Sequence, residues 1–138
     1  MAEVTDNDGY SLAYANGVLV AAGGQPASEG DPTPKKVLMA MDAQTGDIIW
    51  QKPSAAIWDK VVVANGYVYA FYMEAHFSSE NASGNVLAFD LSTGEEVWSW
   101  TPEETIWSAR FVVADGRFYL VYSPVDSFET YVVAFSSE

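Results

Sequence analysis

The stretch AMDAQTGDIIW, residues 40–50, returns with the same pattern at residues 88–98 as AFDLSTGEEVW. Both copies read Ala-x-Asp-x-x-Thr-Gly-x-x-x-Trp, and their aspartates, Asp42 and Asp90, lie 48 residues apart. A third copy begins at Tyr131–Phe135, and the sequence stops three residues later. Self-similarity at a fixed period indicates a repeat architecture. The ten motif residues are Ala40, Asp42, Thr45, Gly46, Trp50, Ala88, Asp90, Thr93, Gly94 and Trp98.

A second pattern lies upstream of each copy, where two apolar runs flank a turn dipeptide. Asn-Gly and Asp-Gly between β-branched or aromatic residues are the strongest short hairpin signal, because a type I′ turn needs positive φ at both central residues. We therefore predict a tight hairpin in each repeat. The three dipeptides are Asn16-Gly17, Asn65-Gly66 and Asp115-Gly116.

Each hairpin leads through a polar loop to a third strand, near Val37–Met41, Asn85–Asp90 and Tyr131–Phe135. A fourth strand, Asp47–Gln51 or Glu95–Trp100, follows the Asp-x-x-Thr-Gly turn in the first two repeats. The apolar period is near two and β-branched and aromatic residues are frequent, so no helix is predicted. The sequence predicts one all-β domain of about three four-stranded antiparallel units. Their boundaries are approximately 6–52, 53–101 and 102–138, within a single domain 1–138.

Four-stranded units that recur at about 45–50 residues are typical of β-propeller blades. The paired motifs resemble the tryptophan-docking motif of the pyrroloquinoline-quinone-like (PQQ-like) β-propeller repeat, and the resemblance covers nearly the whole chain. In that family the tryptophan packs against the neighbouring blade. The resemblance therefore implies that the ten motif residues are structural blade-docking residues and not catalytic ones.

Three blades fall short of the four to eight that propellers have. Repeat units of this kind do not bury their faces alone, so we expect a head-to-tail homo-oligomer. Ala2–Thr5 resembles Glu95–Trp98 in register, and residues 1–5 are expected to complete the third blade of the next subunit. Two chains would give six blades in a closed ring. Open alternatives are a single-chain β-sandwich or irregular barrel, and a chain that is a fragment, an engineered protein or a minimal propeller.

Composition narrows the classes of partner and of chemistry. Nineteen acidic residues against six basic ones give a net charge of -13, which repels phosphate backbones, so no nucleic-acid partner is expected. The chain has no cysteine and one histidine, His76, and we expect no metal, no cofactor and no catalytic site. No apolar run approaches the ~18 residues of a membrane span, and the N-terminus lacks the features of a signal peptide. The family resemblance favours an extracytoplasmic location, periplasmic or secreted.

The innermost strands of a propeller line its central channel, and two of the six basic residues are predicted there. Aligned on the hairpin turns, Ser11, Lys60 and Arg110 share one position, with Trp58 and Trp107 nearby. Lys60 and Arg110 are candidates to hold an anion or a carboxylate, with the two tryptophans beside them. The alternative is that both cations neutralise neighbouring carboxylates.

Three functions follow from these observations. The first is a non-catalytic scaffold whose loop faces, Gly23–Lys36, Met73–Gly84 and Ser123–Thr130, bind a protein or peptide. The second is part of a quinone-dependent dehydrogenase. Related dehydrogenases have more blades and a vicinal cysteine pair over the cofactor, and this chain has no cysteine. The third is a binder of small ligands or glycans. The sequence favours the scaffold.

Overall fold

A computed structural model describes residues 11–25, 30, 35–54, 57–73, 84–106 and 109–136. These residues form eleven strands and no helix. The strands are β1 (Ser11–Ala15), β2 (Val18–Gln25), β3 (Lys35–Asp42), β4 (Ile48–Ser54), β5 (Ile57–Ala64), β6 (Tyr67–Met73), β7 (Gly84–Asp90), β8 (Glu96–Trp100), β9 (Ala109–Ala114), β10 (Arg117–Tyr122) and β11 (Tyr131–Ser136).

The strands form three antiparallel meanders in chain order. Sheet 1 contains β1 to β4, sheet 2 contains β5 to β8, and sheet 3 contains β9 to β11. The predicted all-β fold is confirmed, and the two-sheet sandwich is wrong because the strands divide into three sheets. Sheet 3 has three strands among the described residues, and its fourth strand was expected from residues 1–5 of another copy and not from residues 102–138. The predicted closing strand, residues 1–5, lies outside the described residues.

Each hairpin turn has the backbone conformation that its dipeptide predicted. Both central residues have positive φ in all three turns, as a type I′ turn requires. The three non-glycine residues, Asn16, Asn65 and Asp115, have φ of 52°, 53° and 50°. Asn and Asp tolerate this left-handed region better than most residues, and the three turns fix the register of the strands on either side.

Bulges in two sheets lie at the same position of the repeat. The register of the third strand against the fourth shifts between Ala40 and Met41, and again between Ala88 and Phe89. A bulge bends the strand that carries it, here just before the Asp-x-x-Thr-Gly turn. A further irregularity lies in β5 between Trp58 and Val61.

Two hydrophobic cores join the three sheets. The core between sheets 1 and 2 includes Val20, Leu38 and Val68, each fully buried. The core between sheets 2 and 3 includes Phe71 and Leu120, which are also fully buried. No charged or polar residue is buried among the described residues, and none of their elements is a helix that could cross a membrane.

Gly84 shows how closely the second core is packed. A β-carbon at this position would run into the ring of Phe71, so no larger residue fits there without moving that ring. The Gly84 amide donates a hydrogen bond to the Ile106 carbonyl at 2.9 Å, which ties β7 to the segment that leads into sheet 3.

Candidate functional site

The two Asp-x-x-Thr-Gly turns share the same hydrogen bonds from backbone amides. In the first, Oδ1 of Asp42 accepts from the amides of Gln44 and Thr45 at 2.8 and 2.9 Å. The amide of Gly46 donates to the Asp42 carbonyl at 2.8 Å, and the glycine has a φ of 76°. An aspartate that caps its own turn and a glycine with positive φ explain why the motif needs both residue types.

The second turn repeats this geometry around Asp90. Its Oδ1 accepts from the amides of Ser92 and Thr93, both at 2.9 Å, and from the Ser92 hydroxyl at 2.6 Å. The amide of Gly94 donates to the Asp90 carbonyl at 2.9 Å. The amide of Leu91 donates to the carbonyl of Gly66 at 2.9 Å, so this turn lies against the hairpin turn of the same sheet.

Hydrogen bonds lower the pKa of both turn aspartates. The Thr45 amide is the largest cause of the lowered pKa of Asp42, followed by the Gln44 amide. For Asp90 the Ser92 hydroxyl is the largest cause of the lowered pKa, followed by the Thr93 and Ser92 amides. Bonds to the charged form favour that form, so both carboxylates serve the turns as acceptors.

Trp50 connects sheet 1 to the turn of sheet 2. Its indole N–H donates to the carbonyl of Leu91 at 2.8 Å. A β-carbon on Gly94 would lie 2.7 Å from Cδ2 of Trp50, so the indole lies directly on the glycine. Gly94 also has a φ of 73°. The glycine of the second motif thus meets two requirements, the turn conformation and the close approach of the tryptophan of the first motif.

Trp98 occupies the equivalent position on sheet 2 but has different neighbours. Its ring packs edge-on against Phe135 and Phe118, with centroid distances of 5.0 and 6.2 Å. Among the described residues no acceptor is found for its indole N–H. Beside it lies a groove of about 270 Å³ between sheets 2 and 3 at the hairpin-turn end. The groove is mostly apolar, and its lining includes Tyr67, Tyr69, Val97, Trp98, Phe118 and Phe135.

At the end of the sheets away from the hairpin turns, the interface between sheets 1 and 2 is open and the interface between sheets 2 and 3 is filled. Between sheets 1 and 2, Lys52 places its ammonium 4.8 Å from the centroid of the Phe89 ring. An open polar groove of about 640 Å³ remains there. Between sheets 2 and 3 the equivalent residue is Trp100, whose ring lies 5.6 Å from both Tyr122 and Phe135.

The predicted channel residues differ in their exposure and in the regularity of the strands that carry them. Arg110 is exposed and in regular register on β9, where its guanidinium donates to the Ala109 carbonyl at 3.3 Å. Lys60 is half-buried in the irregular part of β5, and neither cation is without a partner. The hydroxyl oxygen of Ser11 accepts from the amide of Val61 at 2.9 Å and so joins the innermost strands of sheets 1 and 2.

Trp58, one of the two predicted channel tryptophans, gives no exposed aromatic platform. Trp58 is only 5% exposed and packs between sheets 1 and 2, with ring centroids 4.6 Å from Tyr72 and 5.9 Å from Phe89. Its buried indole N–H has no hydrogen-bond acceptor in the described part of the chain. Trp107 lies outside the described residues, as does His76. Within the ranges that the structure describes, no group of three acidic or histidine side chains is placed to hold a metal.

Of the three predicted loop faces, Ser123–Thr130 is described throughout and the other two only in part. Phe128 is fully exposed in this loop. Polar contacts order the residues around it, because Oγ of Ser127 accepts from the Glu129 amide at 3.0 Å and the Tyr131 hydroxyl donates to Glu129 at 2.7 Å. The bond to Glu129 also raises the pKa of Tyr131. The loop therefore presents an aromatic side chain on an ordered backbone.

A family model described as outer membrane protein assembly factor BamB matches residues 7–104 and again residues 34–136. The two overlapping matches span almost the whole chain, as expected of a repeat. The chain belongs to this family. The predicted PQQ-like β-propeller repeat is thereby confirmed. No curated protein sequence matches the chain at a significant level.

Several solved structures match the chain, among them the following two. The crystal structure of Saccharomyces cerevisiae Sqt1 has a TM-score of 0.60 at 9% identity and covers 92% of this chain, which shows a shared fold. BamB from Moraxella catarrhalis has a TM-score of 0.32 at 16% identity and covers 94% of this chain. The chain spans 31% of the length of that Sqt1 chain and 53% of that BamB chain.

The sequence did not reveal three contacts that matter at the site. Gly94 lies under Trp50, Ser11 accepts from Val61, and Lys52 lies over Phe89. The contact of Gly94 with Trp50 could have been predicted, because a glycine and a tryptophan at fixed places in a repeat are expected to meet across neighbouring units. The other two depend on residues that differ between the repeats, so the pattern carried no signal for them.

Proposed function

We propose that this chain is a non-catalytic β-propeller module that binds proteins and closes its ring with a second copy of itself. The ten motif residues, in this proposal, hold neighbouring blades together. The contact of Trp50 with Leu91 and Gly94 supports that role. The lowered pKa values of Asp42 and Asp90 have their causes within the turns, which supports a structural role for both carboxylates.

The proposed ring closure rests on one observation, which is the unequal number of strands in the three sheets. Sheets 1 and 2 have four strands, whereas sheet 3 has three in the described residues, with β11 at its edge. An edge strand offers unpaired backbone groups to another chain. We propose that residues 1–5 of a second copy add the fourth strand to β11. Two chains would then form six blades of four strands each, a closed ring of the kind that repeat proteins favour.

The loop Ser123–Thr130 is the surface proposed for a protein or peptide partner. A fully exposed aromatic side chain on an ordered loop is typical of the residues that carry binding energy at interfaces. The acidic residues around it, Asp126 and Glu129, would favour a partner with basic groups beside an apolar one. The net charge of -13 supports the exclusion of nucleic acids.

The proposed self-assembly is tested by the mass of the chain in solution, with and without residues 1–5. Light scattering behind size exclusion is expected to give twice the 15.0 kDa chain mass for the full chain and one chain mass for the truncated one. A substitution of Phe128 to Ser serves as the control and should leave the mass unchanged. A truncated chain that keeps the two-chain mass would contradict the closing-strand proposal.

The dehydrogenase alternative has its own test. Added pyrroloquinoline quinone and calcium should give no dye-linked oxidation of alcohols above the background without protein. Quinone-dependent oxidation that saturates with alcohol would overturn the non-catalytic proposal.

A further inference from the structure

We propose that the polar groove between sheets 1 and 2 binds a small hydroxylated carboxylate, such as a sugar acid. This site goes beyond the protein-binding role proposed above and uses neither the loop Ser123–Thr130 nor the edge of sheet 3. The groove has a volume of about 640 Å³, which lies within the range of small-molecule sites. The lining side chains that carry donors or acceptors for a ligand include Lys52, Trp58, Asn85, Glu96, Ser99 and Thr101.

The strand register turns polar side chains of sheet 2 toward this groove. Asn85 pairs with Tyr72, and Ser99 pairs with Leu87. Residues paired across antiparallel strands lie on the same face of the sheet. Tyr72 and Leu87 both pack against the core between sheets 1 and 2. The amide of Asn85 and the hydroxyl of Ser99 therefore lie on the face of sheet 2 that is turned toward sheet 1.

Lys52 brings a cation to the groove without a carboxylate partner in the described structure. Its ammonium lies over the ring of Phe89, and none of the described acidic residues forms an ion pair with it. The side chain is half-buried, in a chain that has nineteen acidic and six basic residues. An ammonium has three N–H donors, so contact with the ring leaves donors for the oxygens of a carboxylate ligand.

Trp58 brings a second donor that lacks an acceptor. This residue lines the groove and is only 5% exposed, and its indole N–H has no hydrogen-bond partner in the part of the chain that the structure describes. A buried donor left unpaired costs about 1–3 kcal/mol, and native proteins rarely contain one. The groove is thus lined by an indole N–H and an ammonium that both lack an acceptor oxygen, which indicates a ligand that supplies such oxygens.

The interface between sheets 2 and 3 shows that the repeat can fill this space with its own side chains. Trp100 stands two residues after its motif tryptophan, as Lys52 does. Tyr131 pairs with the tyrosine of its sheet, Tyr122, at the position where sheet 2 has Asn85. The rings of Trp100 and Tyr131 both pack against Tyr122. A lysine and an asparagine replace these two aromatic residues in the first interface, and the groove is open there.

The charges of the groove favour one carboxylate over a phosphate group. Lys52 and Glu96 are the charged side chains among its described lining residues. A phosphate monoester carries about −1.5 to −2 charges at neutral pH, which is more than one ammonium balances beside a glutamate. Amides and hydroxyls both donate and accept hydrogen bonds, so Asn85, Ser99 and Thr101 match hydroxyl groups on the ligand.

Nuclear magnetic resonance of the indole N–H groups in the full-length chain tests the proposal, with glucuronate as the probe. Glucuronate is expected to shift the Trp58 signal, assigned with Trp58→Phe, in a saturable way. The Trp50 signal should stay in place, because that N–H is bonded to Leu91. Glucose lacks the carboxylate, acetate lacks the hydroxyls, and inorganic phosphate has the wrong charge. Each of these three should bind about tenfold more weakly than glucuronate.

Four variants locate the site. Lys52→Met removes a charge-assisted hydrogen bond and should weaken glucuronate binding about tenfold, whereas Lys52→Arg keeps the cation and should retain binding. Glu96→Gln removes a like charge and should strengthen binding. Arg117→Met is the matched control, because it removes a cation that does not line this groove, and it should bind as the wild type does. An unchanged Trp50 signal shows that each variant is folded.

Each contrary outcome overturns a stated part of the proposal. The absence of a saturable shift at Trp58 with glucuronate would overturn the site. Binding that Lys52→Met leaves unchanged would place the ligand elsewhere on the chain and would also overturn it. Equal affinity for phosphate would contradict the carboxylate, and equal affinity for acetate would contradict the role of the hydroxyls. None of these results bears on the mass of the chain, so the proposed self-assembly is tested separately.

Discussion

The interface between sheets 1 and 2 and the interface between sheets 2 and 3 are built from the same repeat but are closed at opposite ends. At the hairpin-turn end, Trp50 is hydrogen-bonded to Leu91, whereas Trp98 lies beside an apolar groove of about 270 Å³. At the other end, Lys52 borders a polar groove of about 640 Å³, whereas Trp100 fills the equivalent space. The repeated motif thus sets the position of a side chain, and the residues of the neighbouring sheet determine which contacts that side chain makes.

The largest expected effect comes from breaking the contact at the turn end of the first interface. Gly94→Ala puts a β-carbon against the Trp50 ring at a residue with positive φ, and we expect a loss of about 3 kcal/mol in the free energy of unfolding. Gly66→Ala is the matched control, because its φ of 80° is similar but nothing lies within 4 Å of the added carbon. That control should lose about 1 kcal/mol in urea unfolding.

A double variant separates two causes of the expected loss at Gly94, the backbone strain of a positive φ and the collision of the added β-carbon with the Trp50 ring. In a Trp50→Ala background the added cost of Gly94→Ala should fall to that of Gly66→Ala, since the ring is no longer there to collide with. An undiminished cost would mean that the indole does not lie on the glycine.

The opposite end of the two interfaces predicts an intermediate effect. Trp100→Ala removes a half-buried ring from Tyr122 and Phe135, and we expect a loss of about 2 kcal/mol in stability. Lys52→Ala removes a cation from the face of Phe89 and should cost only about 0.5 kcal/mol. Thermal unfolding of the two variants in the same buffer checks which substitution costs more stability. Equal losses of stability would show that the two interfaces do not differ in packing at this end.

A smaller effect compares the two motif tryptophans directly. Trp50→Phe leaves the Leu91 carbonyl without its indole donor and should cost about 1 kcal/mol. Trp98→Phe keeps an aromatic ring against Phe135 and removes no hydrogen bond to a described acceptor, so it should cost measurably less. Chemical unfolding midpoints at low protein concentration report the difference, and a larger loss for Trp98 would reverse the comparison.

The smallest effect concerns the two turn aspartates in acid. Each has a pKa that is lowered in the folded chain, so its stabilising contribution is present above the unfolded pKa of about 3.9 and is lost as pH falls through the folded value. Ser92→Ala removes the hydroxyl that most lowers the pKa of Asp90. We expect the melting temperature of this variant to fall below that of the wild type near neutral pH and to approach it as the pH falls through the folded pKa of Asp90. A difference in melting temperature between the variant and the wild type that grows in acid would contradict this prediction.

The fold was predictable because its signals are local and repeated. The dipeptide Asn65-Gly66 fixes a turn, and the alternation in Tyr67, Tyr69 and Phe71 fixes a strand, without reference to the rest of the chain. Residues 102–138 were expected to supply three strands, because they contain no Asp-x-x-Thr-Gly turn to lead into a fourth, and three are described there.

The candidate site was less predictable, because it depends on contacts between sheets. Alignment on the turns put Lys60 level with Arg110, and the structure places Lys60 in the irregular part of β5 and Arg110 in regular register on β9. Trp58, a candidate channel residue, is buried in the core between sheets 1 and 2. A bulge and the choice of face for a large side chain are decided by tertiary packing, which a repeat alignment does not contain.

Equilibrium sedimentation of the full-length chain over a hundredfold range of concentration at moderate salt decides whether two copies close one ring. A closed ring of two chains predicts one species at twice 15.0 kDa that dissociates to single chains on dilution and forms nothing larger. A chain that sediments at 15.0 kDa throughout, or an open series of masses that grows with concentration, would contradict the account.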